Sequence, residues 1–413
     1  MVDIREVKAL EVLDSRGKPT IKAYMKLVGD NFLYSVCVPS GASTGINEAM
    51  EIRDGDQKRF GGNGCLKVVE SINTFFKEKL ENKDFLNQSE FDNYLLELDG
   101  TKNKTKFGGN CLLALSLVFA KAHAGNLKIP LFEYFSLLAN TVPKLPTLTI
   151  NLFSGGKHAG GQAPIQDILL VPQVDSIQAA LEMTYNIYYK AASNLKESHN
   201  MRLLRADEGG LSPDCNIADE LFDHAKQAIL DCGYVLGQDI FLAVDVAASH
   251  FHENGQYNYH GKNISSIDLI EKLAQWQKKY SIISIEDGLE EEDWDHWPEL
   301  VKRLNGCCEI MGDDLLCTNP TLIKKAQASL AATALLLKVN QVGTLSEALE
   351  SFKLAKNKDW RVTVSARSGE TEDSWLADLA YGLGADYIKI GSITQSERLS
   401  KYNRLLEIEA GIY

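Results

Sequence analysis

The chain has 413 residues, 45% apolar and 24% charged, with a net charge of −13. That is too long for one compact core, and it suits a globular protein of two domains. The negative balance argues against nucleic acid, whose binding needs a basic face, but leaves room for a local anion site. Eight cysteines are scattered without a framework and no C-x-x-C occurs. No signal-type segment stands at Met1-Val-Asp-Ile, so a reduced, cytoplasmic protein is expected. No apolar window approaches the length of a membrane span, so no membrane partner is expected.

The first 40 residues alternate apolar and polar in three runs, broken by Asp14-Ser-Arg-Gly17 and Gly29-Asp-Asn31. This predicts a three-stranded antiparallel meander. Helical periodicity follows over 66–79, 87–98 and 111–124. Residues 1–135 therefore read as an α+β domain, with Pro143-Lys-Leu-Pro146 as the junction to a second domain over 145–413. Between meander and helices, Pro39-Ser-Gly-Ala-Ser-Thr-Gly45 reads as a hydroxyl-rich loop, either a plain surface turn or a lid.

The second domain opens with Leu148-Thr-Ile-Asn-Leu-Phe, followed by a glycine-rich loop carrying His158. A strand at Ile165-Gln166-Asp167-Ile-Leu-Leu-Val comes next. Helices are expected over 176–197 and 216–232, separated by Arg205-Ala-Asp207-Glu208-Gly-Gly210. Six apolar, β-branched segments then end in polar residues: Asp245, Glu286, Asp313, Lys338, Arg367 and Lys389. They are spaced 41, 27, 25, 29 and 22 residues apart. A parallel strand plus its crossover helix takes roughly 25 to 30 residues. The spacing predicts an α/β fold with a (β/α) barrel of the TIM type, whose chemistry gathers at the strand C-termini. Three carboxylates without His or Cys suit Mg²⁺ better than zinc. The lysines and arginine beside them suit an anionic, phosphorylated substrate. Each residue also has a plain reading: the acids as helix caps, Lys338 as a solvated lysine, Glu208 as a loop acid. His250, His252 and His260 lack an acid or Cys partner at ligand spacing and read as surface residues.

The motifs taken together resemble the enolase family along essentially the whole chain. They are Leu13-Asp-Ser-Arg-Gly-Lys-Pro-Thr, Pro39-Ser-Gly-Ala-Ser-Thr-Gly, Arg53-Asp-Gly-Asp, Asp207-Glu-Gly-Gly, Ser284-Ile-Glu-Asp-Gly-Leu, Gly312-Asp-Asp-Leu, Ser368-Gly-Glu-Thr-Glu-Asp and Ser396-Glu-Arg-Leu. The resemblance implies a smaller N-terminal α+β domain and a C-terminal modified (β/α)8 TIM-type barrel, β3α2(βα)6. It implies the dehydration of 2-phosphoglycerate to phosphoenolpyruvate, two Mg²⁺ per site, and a homodimer or higher homo-oligomer. Asp245, Glu286 and Asp313 would hold the tighter metal, and Ser43 would help hold the second. Lys338 would be the base and Glu208 the acid. His158, Gln166, Asp167, Arg367, Ser368 and Lys389 would line the substrate. A Lys base must shed its proton, and the metal and Lys389 are expected to lower its pKa.

Three positions depart from the family pattern. Ala366 stands where His usually precedes the Arg. Asp167 replaces Glu. Lys157 replaces an acid before His158. All three lie on the leaving-group and phosphate side. They keep open a related phospho- or phosphono-hydroxycarboxylate substrate, or a weakly catalytic homologue that acts by binding.

Overall fold

The computed structural model describes residues 1–41, 45–161, 163–199, 204–215, 217–304 and 306–413. The expected meander is present as β1 (Val2–Leu13), β2 (Pro19–Leu27) and β3 (Tyr34–Cys37), all antiparallel. Their alternation buries Val7, Ala9, Ile21, Ala23 and Met25, as a period of two requires, and a register irregularity between Ile4 and Glu6 brings Ile4 to the buried face as well. A short β4 (Asp84–Phe85) adds to the β1 edge. The rest of that edge is closed by side chains: the Asn73 amide both accepts from Ala9 N and donates to Ala9 O. Asn73 comes from a wide turn, Ile72–Phe76, inside the helical stretch 66–80. Helix Gly109–Leu127 is buried nearly all round and forms the spine of this domain, which explains its uniformly apolar sequence. No single helix among the described residues is long and apolar enough to cross a membrane.

Helix Leu131–Ala139 carries no distinct sequence signal. It crosses residue 135 and packs Phe132 against Tyr381, with ring centroids 4.9 Å apart. The barrel begins with β5 (Thr147–Ser154) and β6 (Asp167–Pro172). Helices Ile177–His199 and Ala218–Asp231 follow. Next come β7 (Ile240–Asp245) and a small three-stranded sheet of β8 (His252–Glu253), β9 (Gln256–Tyr259) and β10 (Lys262–Ile264). The series continues with β11 (Ile282–Glu286), β12 (Glu309–Gly312), β13 (Ala334–Leu337), β14 (Arg361–Ser365) and β15 (Tyr387–Gly391). A helix follows the β8–β10 insertion and each of β11 to β15.

The barrel closes in the order β11-β12-β13-β14-β15-β5-β6-β7. Among the described residues only two strands precede the helix pair, so the architecture is β2α2(βα)6 and not β3α2(βα)6. The β8–β10 insertion accounts for the 41-residue gap between Asp245 and Glu286. It also corrects the reading of the histidines: His260 is exposed, but His250 and His252 are half-buried around this insertion.

β6 runs antiparallel to both neighbours. Its first residue therefore lies at the same end as the last residues of the others: Asp167 pairs with Asp245 of β7 and with Ser154 of β5. A reversed strand thus brings a strand start to the mouth where the parallel strands end.

Candidate active site

Lys389 is the hub of the mouth. Its Nζ donates to Asp245 Oδ2 at 2.9 Å and Glu286 Oε2 at 2.7 Å, and Asp167 Oδ2 lies 3.9 Å away. It sits in the middle of β15, so its long stem rises through the barrel to reach acids at the ends of β7 and β11. Burial acts against the Lys389 ammonium, but Asp245, Glu286 and Asp167 reverse this and raise its pKa well above the ordinary value. Burial likewise opposes ionisation of Asp245, yet Lys389 outweighs it and holds that carboxyl down at about 2. Glu286 goes the other way: burial, reinforced by Asp245, drives it well above the usual carboxylate range. One ammonium cannot fully satisfy two buried carboxylates.

Lys338 donates to Asp313 Oδ2 through a short contact. Its backbone N–H is held by Thr318 Oγ1 at 2.9 Å. Burial would lower the Lys338 pKa, but Asp313 more than offsets it and the ammonium is stabilised. The expected lowering of this group is therefore not a property of the protein alone, because Asp313 outweighs the opposing charge of Lys389.

Two carboxyl groups face each other near β5 and β6. Asn151 Nδ2 donates to Asp167 Oδ1 at 2.8 Å and to Glu208 Oε2 at 3.1 Å. Ser154 Oγ donates to Asp167 Oδ1 at 2.6 Å. Burial, with Glu208 and Asp245 adding to it, raises Asp167 well above its usual value against the pull of Lys389. Glu208 is set by the turn that follows it. Gly209 has φ +84° and a Cβ there would meet Thr394 Oγ1 at 2.5 Å, so only glycine fits.

Gln166 Nε2 donates to Asp245 Oδ2 at 2.8 Å. Arg367 Nη1 donates to Asn340 Oδ1 at 2.9 Å and to Glu48 Oε2 at 3.1 Å. Ser368 Oγ accepts from Arg16 Nη1 at 3.1 Å. The buried Arg398 ties this corner down: its guanidinium donates to the carbonyls of Arg367, Ser368 and Ile390. The structure thus brings together Asp245, Glu286, Asp313, Lys338, Lys389, Gln166, Asp167 and Glu208, with Arg367 and Ser368 at the adjoining corner. Ser43 lies outside the described residues, as does the side chain of His158. Lys157 is exposed. Ala366 is buried, and its N–H donates to Lys389 O.

The donor set fits a hard divalent cation. Three buried carboxylates converge, and Glu286 Oε1 is buried with no hydrogen-bond partner among the described residues. A different trio, Asp287, Asp313 and Asp314, brings one oxygen each within 4.8 Å of one another. The Asp287 oxygens, however, accept the backbone N–H groups of Asp313 (2.9 Å) and Asp314 (2.8 Å). Asp287 thereby shapes the turn that presents Asp313. Asp287, Cys317 and Thr318 all have positive φ, and such strain collects at functional loops.

Asn151, Ser154, Glu48, Asn340 and Gln341 escaped the sequence reading. Asn151 lies mid-strand, and a polar residue inside an apolar run was the available signal. Gln341 donates to Asp313 Oδ1 at 2.9 Å and to Glu48 Oε1 at 3.3 Å, a link between domains that no spacing reveals.

A closed barrel with acids and lysines at its mouth, capped by an α+β domain, is the build of a two-domain barrel enzyme. Residues 4–135 match the family model described as enolase, N-terminal domain, and residues 142–412 match enolase, C-terminal TIM barrel domain. The chain belongs to the enolase family and is a lyase of the enolase superfamily.

Proposed function

We propose that the protein interconverts 2-phospho-D-glycerate and phosphoenolpyruvate with Mg²⁺. The observation that carries this is topological. In the closed order, β13 and β6 are four strands apart in either direction round eight. Lys338 at the end of β13 and Asp167 at the start of β6 therefore stand on opposite sides of the mouth, with the Asp167–Glu208 pair facing Lys338. A β-elimination needs this arrangement: a base for the proton α to the carboxylate on one side, and an acid for the leaving hydroxyl on the other.

Asp245, Glu286 and Asp313 would hold Mg²⁺. The bound metal supplies positive charge that makes a proton α to a carboxylate removable. Pairing a Lys or His base with one or two Mg²⁺ is a general rule of enolase-superfamily sites, so it comes from the family and not from this geometry. Lys338 takes the α-proton as the free amine, so its own proton must first leave the contact with Asp313. Glu208, held by Asn151, delivers a proton to the departing oxygen. Asp167 shares the Asn151 amide with Glu208 and keeps that corner polar. Arg367 and Ser368 receive the phosphoryl group, and Gln166 orients Asp245.

The Asp167–Ser154 pair and Ala366 favour a second reading, a lyase for a related phospho- or phosphono-hydroxycarboxylate. The deciding assay follows the ultraviolet absorbance of phosphoenolpyruvate formed from 2-phosphoglycerate, with and without Mg²⁺. Robust Mg²⁺-dependent turnover is expected. Metal binding without turnover would favour the second reading.

A further inference from the structure

The guanidinium of Arg367 already holds an anion, and that anion belongs to the chain. Glu48 reaches from the N-terminal domain over the barrel mouth. Its Oε2 accepts from Arg367 Nη1 at 3.1 Å and its Oε1 from Arg367 Nη2 at 3.2 Å. Gly45 N–H (3.1 Å) and Gln341 Nε2 (3.3 Å) also donate to Oε1. Both side chains are buried, with 4% and 7% exposure for Arg367 and Glu48. The two-point geometry is the one by which arginine grips carboxylates and phosphates alike.

We propose that Glu48 is an internal competitor for Arg367, which the substrate's phosphoryl group must displace. It is thereby a specificity-determining residue that admits phosphate dianions and turns away carboxylate monoanions. This rests on the reading that Arg367 takes the phosphoryl group. The plain alternative is that Glu48 permanently orients Arg367. The surroundings argue against it, because Arg367 is anchored without Glu48. Asn340 Oδ1 holds Nη1 at 2.9 Å, Glu370 Oε1 accepts the Arg367 N–H, and Arg398 holds the Arg367 carbonyl at 2.7 Å. Release of the guanidinium also breaks the contacts of Glu48 with Gly45 N–H and Gln341 Nε2, while Ala49 N to Gln341 O at 2.7 Å holds the neighbouring backbone.

A phosphate dianion offers the same two-oxygen face with a second charge, so it wins the exchange. A carboxylate monoanion matches Glu48 in charge and lacks the advantage of being tethered. An ion pair that is closed in 90 to 99% of molecules lowers apparent anion affinity by about 10- to 100-fold.

The test is calorimetric titration with inorganic phosphate, and separately acetate, at fixed ionic strength. The variants are Glu48→Gln, Glu48→Ala, Arg367→Gln, the Glu48→Gln/Arg367→Gln double, and Glu291→Gln. Glu291 is a neighbouring acid that accepts the Ile46 N–H and does not touch Arg367 in any described contact. Its variant controls for loss of one negative charge. Both Glu48 variants are expected to bind phosphate about 10- to 100-fold more tightly than the parent and to gain acetate binding. Glu291→Gln should change little, and the double variant should lose the gain. Unchanged or weaker phosphate binding in Glu48→Gln and Glu48→Ala would overturn the proposal, as would an equal gain in Glu291→Gln. If Arg367→Gln abolishes phosphate binding while the Glu48 variants gain nothing, only the competitor role fails. If Arg367→Gln leaves phosphate binding unchanged, the reading of Arg367 as the phosphoryl site fails as well.

Discussion

Replacing Lys389 with Met keeps the length of the stem and removes the charge that two buried acids share. Asp245 Oδ2 and Glu286 Oε2 lie 2.9 and 2.7 Å from Nζ. Removing one partner of a buried ion pair costs about 3–5 kcal/mol. Unfolding entropy of about 2.1 cal/mol/K per residue over 413 residues gives roughly 0.9 kcal/mol/K, so Tm should fall by roughly 3–6 °C. The loss has a definite pH dependence. In the parent, Asp245 is held down at about 2 against a usual 3.8. A depressed acid adds stability that is full above the unfolded pKa and lost as pH falls through the folded one. Without Lys389 both acids move up and take protons more readily, so parent and variant converge as pH falls. Mg²⁺ on Asp245 and Glu286 would replace the missing charge. Saturating Mg²⁺ should therefore raise the Tm of Lys389→Met by more than that of the parent. Thermal unfolding at neutral and mildly acidic pH, with and without Mg²⁺, reads all three effects. A loss below 1 °C, or an equal Mg²⁺ increment in both proteins, would refute the assignment of Lys389 as the shared counter-charge.

Two further predictions concern other buried acids. Burial pushes the Asp92 carboxyl from 3.8 up to about 6, although Ser346, Ser116 and Gln88 hydrogen-bond it and oppose the rise. An acid raised on folding adds stability that is present below its unfolded pKa and lost as pH rises through the folded value. Denaturant unfolding should show about 3 kcal/mol lost between pH 4 and 6 from this group, and Asp92→Asn should flatten that slope. An unchanged slope would contradict the burial argument. In the Asp167→Glu/Ala366→His double variant, the longer acid must displace its present partners. Asp167 is gripped at 2.6 and 2.8 Å by Ser154 and Asn151, and Ser154 lies against Gly210, where a Cβ would stand 2.4 Å from its Oγ. Overpacking of about 1–3 kcal/mol is expected, with phosphoenolpyruvate formation no faster than in the parent. A steep rise in turnover would show that the natural site is tuned to another substrate.

The regular part of the barrel was legible because each βα unit repeats one physical pattern: an apolar run ending in a polar residue, then a helix. Asp245, Glu286, Asp313 and Lys338 follow from that period, whereas Lys389, expected at a strand end, lies in the middle of β15. β6 was legible as a strand but not in direction, because alternation is the same read either way. The mouth position of Asp167 depends on that direction. The β8–β10 insertion stayed hidden because Gly255 and Gly261 mark turns without announcing a sheet. Contacts between domains were least visible. Glu48 on Arg367 joins residues 319 apart in the chain, and a single sequence holds no record of such pairings. The balance at Lys338 was hidden for a related reason: composition shows how many charges exist, while the state of one nitrogen depends on which of them touches it, here Asp313.

The division of base and acid across the mouth is tested most sharply by exchange of the C2 proton of 2-phosphoglycerate in D₂O with Mg²⁺, followed by proton NMR in the parent, Lys338→Ala and Glu208→Gln. Exchange is expected in the parent, none in Lys338→Ala, and exchange without phosphoenolpyruvate formation in Glu208→Gln. Exchange that survives in Lys338→Ala would show that another group removes the proton. Equal loss of both reactions in Glu208→Gln would contradict the division of base and acid across the mouth.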